Sequence, residues 1–564
     1  MPLFDIPKAQ CLYAIPILSD FGTNSVAPDR SFQADSEQRI GNRWVRFLQL
    51  LFLAIALLDL DGPFVSAHNE RQNQTFDISR HVFHEGWRAL LAPKASFSLP
   101  GHEEQRFTIM QLEFPFHGLI GWPLTMATAH QRAVVRLVSL LFALASIQLL
   151  YSILRFWFRP AVAAAGTALW TTAPLVLHFG QVPMPDIVCT AGMLWSLFFA
   201  LRGNLLGSSA AFLFAILAKV SVIVFGLPVL TALLLARRCR SARRIFHLSI
   251  LWGLAPLSGL LSWILLLYLS SPPNQCTLFY VLAERGDIRT LATLNFYALI
   301  AGCLLPFGVG VLGTLALGSL RRKTAWMNPW MKWTILISNL GYLVLILRKI
   351  PEPQYLLPPL VWLIVAASPG IDCLLTRLRS RTLCRPALVL AIVLHVSLAI
   401  AFTCDLKASR VPDYTNIESA AALLPINARV VVVYRFYGAS PAVWLNKNVF
   451  AVPDPDTLES KLPRLVAVGF THLVILDMES RHDLRSLGAL GLLKSTARLL
   501  GMRPSDSAVR EATLTHYTEP SSPVRQFCDR RFLRLLERRW VILYSLGVGT
   551  NANSTAKSQP GAAP

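Results

Sequence analysis

About eleven apolar runs punctuate this chain, and each must find surroundings without water. Roughly 20 apolar residues cross a bilayer as a helix, which satisfies every backbone N–H and C=O within the segment. The runs cover residues 44–60, 132–154, 160–178, 186–202, 205–236, 245–269, 292–318, 330–347, 355–369 and 386–403. The stretch 205–236 is too long for one comfortable crossing. Lys219 and Ser221 interrupt it, so it reads as two short spans. The predicted fold class is mainly α: a polytopic transmembrane bundle, followed by a small C-terminal α/β domain outside the membrane.

Composition agrees. Of 564 residues, 54% are hydrophobic and 15% charged, whereas a soluble protein carries about a quarter charged residues. The net charge of +21 would point to nucleic acid in a soluble chain. Here much of the excess sits in short connections between apolar runs, as the positive-inside rule expects; the expected partner is the bilayer, not nucleic acid. The nine cysteines show no C-x-x-C spacing, so neither a zinc site nor a disulfide framework is indicated. Residues 1–43 are polar and show no cleavable leader, which makes the first span an uncleaved anchor with a cytoplasmic segment before it.

Arg155 and Arg159, the Arg237–Arg244 group, Arg321–Lys323 and the Arg377–Arg385 group then fall on one side, the cytoplasm. This agreement requires the split of 205–236. The other side receives a large first loop (61–131), the His178–Asp186, Ser270–Thr290 and Arg348–Tyr355 connections, and everything after residue 403. In that last part, Val430–Tyr434, Thr471–Asp477 and Trp540–Tyr544 read as strands and Leu458–Val468 as a helix, giving an α/β domain over 404–548. Residues 549–564 have the composition of a disordered tail.

The first loop carries the candidate chemistry. Asp59 and Asp61 leave the first span, where a carboxylate could accept a proton or hold a divalent metal such as Mg or Mn. His68, Glu70, Arg71, Gln72 and Thr75 follow; on a helix Arg71 and Thr75 share a face. An Arg fork suits phosphate oxygens. Glu113-Phe114-Pro115 precedes a short apolar run, Phe116–Leu124, which reads as an interfacial helix. Asp186 follows two prolines at the start of the fourth span. Lys219 is an ionisable residue between apolar runs, expensive unless it faces a polar cavity. Arg348 and Lys349 form a basic pair on the side that the charge rule disfavours, and so call for an anionic partner.

In order and spacing these elements resemble the GT-C superfamily of integral membrane glycosyltransferases, over about residues 44–403. They are most similar to bacterial relatives of protein O-mannosyltransferases and aminoarabinose transferases. Asp59 and Asp61 occupy the place of the acidic motif after the first span, with Leu60 between them where an adjacent pair is usual. Arg71-Gln72-Asn73-Gln74-Thr75 matches an Arg-Gln-x-x-Thr element. Glu113-Phe114-Pro115, Met184-Pro185-Asp186, Ala218-Lys219 and Gln354-Tyr355-Leu356-Leu357-Pro358 resemble further elements, with Gln354 replacing a usual His or Arg.

The resemblance implies an inverting glycosyltransferase of the bacterial inner membrane. It would use a polyprenyl-phosphate sugar donor and a lipid, protein or polysaccharide acceptor of the cell envelope. Asp59, Asp61 or Glu113 would be the base. Arg71, Lys219, Arg348, Lys349 and Tyr355 would bind the donor phosphate, with no metal required. A multi-span transporter or flippase for lipid-linked sugars, or a non-catalytic envelope scaffold, is the competing reading.

Overall fold

The computed structural model describes residues 30–66, 69–98, 103–109, 113–239, 241–270, 328–342, 344, 353–380, 414–434, 439–452, 455–476, 533–538 and 541–546, with single positions between 393 and 407 and between 525 and 529. His68, Arg348, Lys349, Trp540, the span expected over 292–318, the connection 271–290 and the tail 549–564 lie outside the described residues.

Helix α1 (Arg30–Leu57) is followed by α2 (Asn69–Glu85), the single turn α3 (Arg88–Leu91) and three short strands, β1 (Lys94–Ala95), β2 (Phe97–Ser98) and β3 (Thr108–Ile109). Ten more helices follow: α4 (Phe116–Thr125), α5 (Gln131–Leu154), α6 (Pro160–Thr171), α7 (Pro174–Phe179), α8 (Pro185–Leu201), α9 (Leu205–Ala218), α10 (Gly226–Ala236), α11 (Ala242–Ser270), α12 (Pro329–Tyr342) and α13 (Leu357–Ser380). Helical structure thus stands on nine of the eleven expected spans; over 386–403 only isolated helical positions are described. Gln38–Leu57, Gln131–Leu154, Ala242–Ser270 and Gln354–Thr376 are long and apolar enough to cross a membrane.

Prolines set several boundaries. The third span breaks before Pro174, which lacks an N–H to continue the ladder, and α7 and α8 both restart with Pro in the first turn. Asn204 caps α9 by accepting the Gly207 N–H at 2.9 Å. Helix α9 stops at Lys219, whose backbone is extended, and a 3-10 turn (Val220–Phe225) leads into α10. Arg237, just past α10, donates through Nε to the Gly203 carbonyl just before α9, at 2.8 Å. The chain therefore runs out along α9 and returns along α10, as the split of 205–236 requires.

The bundle has two chemically different ends. At one, Gly41 meets the Tyr151 hydroxyl and Pro160, and Arg159 pairs with Asp372 at 2.7 Å. Arg155, Arg202 and Arg237 terminate helices at this same end. At the other end lie Asp59, Asp61, Glu113, Asp186 and Lys219.

A six-stranded sheet adjoins this acidic end. It uses β4 (Arg429–Val433), β5 (Asn448–Val452), β6 (His472–Leu476), β7 (Leu533–Arg538) and β8 (Val541–Ser545), interleaved with α14 (Tyr414–Leu423), α15 (Ala439–Leu445) and α16 (Pro455–Ala467). The order is β2-β5-β4-β6-β8-β7, with the first four strands parallel and the last two antiparallel to their neighbours. The central strand is four consecutive buried valines, since both faces are covered. Val430 and Val432 pack with Phe64, Phe76 and Trp444. Val431 and Val433 pack on Leu458, Leu462 and Leu465 of α16. Edge strand β2 comes from the first loop, pairing Phe97 with Val449 and Ser98 with Phe450. The first loop and the C-terminal chain therefore share one core.

Candidate active site

The break at Lys219 turns its side chain back onto α8. Lys219 Nζ donates to Asp186 Oδ1 at 2.5 Å, and the same nitrogen sits 3.8 Å from the centre of the Tyr355 ring. Both charged side chains are buried. Asp186 Oδ2 has no hydrogen-bond partner among the described residues. Asp186 also lies in the first turn of α8, where the helix dipole favours a negative charge. A buried ion pair is costly to desolvate and persists when further partners complete it. An ammonium has three donors, so this pair can take an additional anionic ligand.

A second pair lies beside it. Arg71, on α2, ion-pairs with Glu113 and donates to Gln74. The backbone connects the two clusters: the Phe114 N–H donates to the Leu217 carbonyl at 2.9 Å, two residues before Lys219. The Phe114 ring packs edge-on against Trp263, with centroids 5.0 Å apart. Behind them, His117 Nε2 meets Ser139 Oγ at 2.9 Å, and Ser139 donates to the Val182 carbonyl at 2.8 Å. These bonds tie α4, α5 and the turn before α8 into one frame.

Asp59 and Asp61 form a third group, nearer to water. Asp59 Oδ2 is 3.2 Å from Arg136 Nη1, and Asp61 Oδ2 is 2.7 Å from His130 Nδ1. The Asp59 side chain is 56% exposed, whereas Arg136 is buried against the Phe64 ring. Gly62 lies directly under the Asp59 carboxylate, where a Cβ would collide with Oδ1. Gly62→Ala is therefore expected to push Asp59 off Arg136. If Asp59 acts in catalysis, turnover should fall by on the order of 10²-fold, the effect of a small misplacement of a reacting group; turnover of the purified variant checks it.

The remaining candidates point elsewhere. Glu70 accepts the N–H groups of Ala439 and Ser440 at 2.9 and 3.0 Å, capping α15. Gln72 donates to Ser66 Oγ at 3.1 Å, and the Thr75 hydroxyl donates back to the Arg71 carbonyl at 3.0 Å. Burial pushes the Glu70 carboxyl above its usual range, the hydrogen bonds from Ser440, Ala439 and Tyr434 opposing it. A raised acid is linked to stability that is complete at low pH and falls as pH rises through the raised value. Glu70→Gln should flatten that fall. Glu70→Ala should cost about 1–3 kcal/mol by leaving two buried donors unpaired. Thermal unfolding in detergent across pH checks both.

Sequence reasoning passed over Arg136, His130, Gln181 and Lys407. Lys407 Nζ donates to Gln181 Oε1 at 3.1 Å; burial pushes its ammonium below the usual range, with the Asp59 charge opposing. A lone Arg136 early in an apolar span was a readable signal. Among the described residues no group of three His, Cys, Asp or Glu side chains is placed to hold a metal ion.

Residues 115–263, which include Asp186 and Lys219, match the family described as dolichyl-phosphate-mannose-protein mannosyltransferase. The fold is similar to that of ArnT from Cupriavidus metallidurans in the apo state, with a TM-score of 0.57 at 17% identity, over 89% of this chain and 98% of that one. The chain has the GT-C fold. The same ArnT bound to undecaprenyl phosphate matches this chain with a TM-score of 0.57 at 15% identity and the same coverage. The oligosaccharyltransferase of Archaeoglobus fulgidus, solved with Zn and sulfate, matches with a TM-score of 0.52 at 12% identity, over 80% of this chain and 70% of that one. Among curated proteins no sequence matches. Fold and apolar helices together make this chain a multi-pass membrane protein.

Proposed function

We propose that this protein is a membrane glycosyltransferase that moves a sugar from a polyprenyl-phosphate donor to a hydroxyl of an envelope acceptor, with inversion. The observation that carries the reading is the coupling of two clusters at one end of the bundle. The buried Lys219–Asp186–Tyr355 group and the Arg71–Glu113 pair are joined through Phe114 and Leu217. The family matched over 115–263 and the undecaprenyl phosphate bound to the structurally similar ArnT support it. The basic residues gathered at the opposite end support an outer-face site.

Asp59 takes the proton from the acceptor hydroxyl, and the oxygen attacks the anomeric carbon. The bond from that carbon to the phosphate oxygen breaks, and polyprenyl phosphate leaves with the electron pair. Lys219 and Arg71 stabilise the charge growing on the phosphate, with Arg348 and Lys349 added from their place in the sequence. Tyr355 holds the Lys219 ammonium in place. Asp186 fixes Lys219, and its second oxygen accepts from a sugar hydroxyl. Glu113 orients Arg71.

Purified protein in liposomes, supplied with radiolabelled polyprenyl-phosphate sugars and a membrane extract, should form labelled product. Absence of product across several sugars, from protein shown to be folded, would overturn the reading in favour of a lipid-linked-sugar transporter or a scaffold.

A further inference from the structure

A separate cleft of about 410 Å³ opens between the first loop, the start of α5 and the sheet layer. Phe76, Arg80 and His84 line one wall, spaced four apart on one face of α2. Arg71 on the same helix is engaged with Glu113 instead. Tyr414 and Glu418 of α14 and Trp444 of α15 line the facing wall, with Arg132 at the foot of α5. This size, with aromatic walls and a few placed polar groups, is that of a small-molecule site.

The two arginines differ. Arg80 is already held by Asp77 at 2.6 Å and by Asn446. Arg132 donates to the Tyr414 hydroxyl at 3.2 Å and is in no ion pair among the described residues. Its guanidinium retains donors for an anion, in the first turn of α5 where the dipole also favours one. Arg132 also stands one turn before Arg136, the partner of Asp59, and His130 beside it holds Asp61. One helical turn is about 5.4 Å, a distance that one sugar ring spans.

Resting on the transferase reading, we propose that this cleft is the acceptor subsite and takes a saccharide bearing an anionic group, phosphate or carboxylate. Arg132 holds the anion, the aromatic walls pack on the ring, and Glu418 accepts from a ring hydroxyl. The ligand so anchored presents a neighbouring hydroxyl towards Asp59.

The test is calorimetric titration of the full-length protein in nanodiscs with glucose 1-phosphate, glucuronate, glucose and inorganic phosphate. Saturable binding of the two anionic sugars is expected. Glucose and inorganic phosphate should each bind about tenfold more weakly, the worth of one charge-assisted hydrogen bond. Arg132→Gln should weaken the anionic sugars by about the same factor. Arg132→Lys should restore most of the affinity, and added polyprenyl phosphate should leave it unchanged. Nanodiscs carrying the same sugar phosphate on a diacylglycerol anchor separate the sources: blocked titration marks a glycolipid headgroup, unaffected titration a free saccharide. Undiminished binding in Arg132→Gln, or inorganic phosphate binding as tightly as the sugar phosphate, overturns the proposal. So does displacement of the bound sugar phosphate by polyprenyl phosphate, which would place the ligand in the donor site. Failed binding with intact transfer sinks the cleft and leaves the transferase; intact binding with no transfer does the reverse.

Discussion

Lys219→Met should abolish most transfer, lowering kcat by on the order of 10²–10³-fold, the usual effect of removing a donor aimed at developing charge. The expectation follows from burial. In water an ammonium beside a phosphate is screened; here the ion pair with Asp186 is buried beneath the Tyr355 ring, where electrostatic interactions are stronger. The charge on the phosphate grows as the glycosidic bond breaks, so the effect should fall mainly on kcat rather than on donor KM. One complication is structural: removing one partner of a buried pair strands the other, at about 3–5 kcal/mol. The double variant Lys219→Met with Asp186→Asn separates the two effects, since it removes both charges. A stable double variant that transfers sugar at the wild-type rate would show that Lys219 serves packing alone. Lys219→Arg should retain part of the activity, because it keeps the charge and changes only the geometry.

Much of this architecture is readable from the chain, and the unread parts have physical reasons. Apolar runs announce spans because the bilayer demands them, and a lysine inside one announces a break; the Arg237–Gly203 bond shows the resulting hairpin. The two-residue strand β2 could not be read, since Phe97 and Ser98 carry no periodicity and pair with residues near 450. β5 and α15 were missed likewise: each is five to seven residues long, and the turn between them is made at Asn446, in the left-handed region. Glu70 looked chemical because it is charged and sits among polar neighbours. Its role as a cap depends on backbone N–H groups about 370 residues further on. The positions of Asp59, Asp61, Glu113 and Lys219 at one end follow from span topology. Which of them touch each other does not, because side-chain pairing depends on how the helices rotate and lean.

Asp59→Asn should lower kcat by about 10²–10⁴-fold, the contribution of a positioned general base, and leave donor binding nearly unchanged. Three carboxylates compete for this role, and their surroundings separate them. Glu113 is largely shielded and committed to Arg71, so its neutralisation should loosen Arg71 and act mostly on donor KM. Asp61 is paired with the exposed His130. Asp59 is half-exposed to an incoming acceptor, yet held in place by the buried Arg136 and by contact with Gly62. Its partner Arg136 stands one helical turn along α5 from Arg132, which lines the cleft. The asparagine keeps the shape and can still accept from Arg136, so the loss should be chemical rather than structural. The decisive readout is the pH profile. The rise of kcat with pH that reports deprotonation of the base should vanish in Asp59→Asn and persist, at reduced donor affinity, in Glu113→Gln. The reverse pattern would transfer the base to Glu113 and leave Asp59 as a positioning residue for the acceptor.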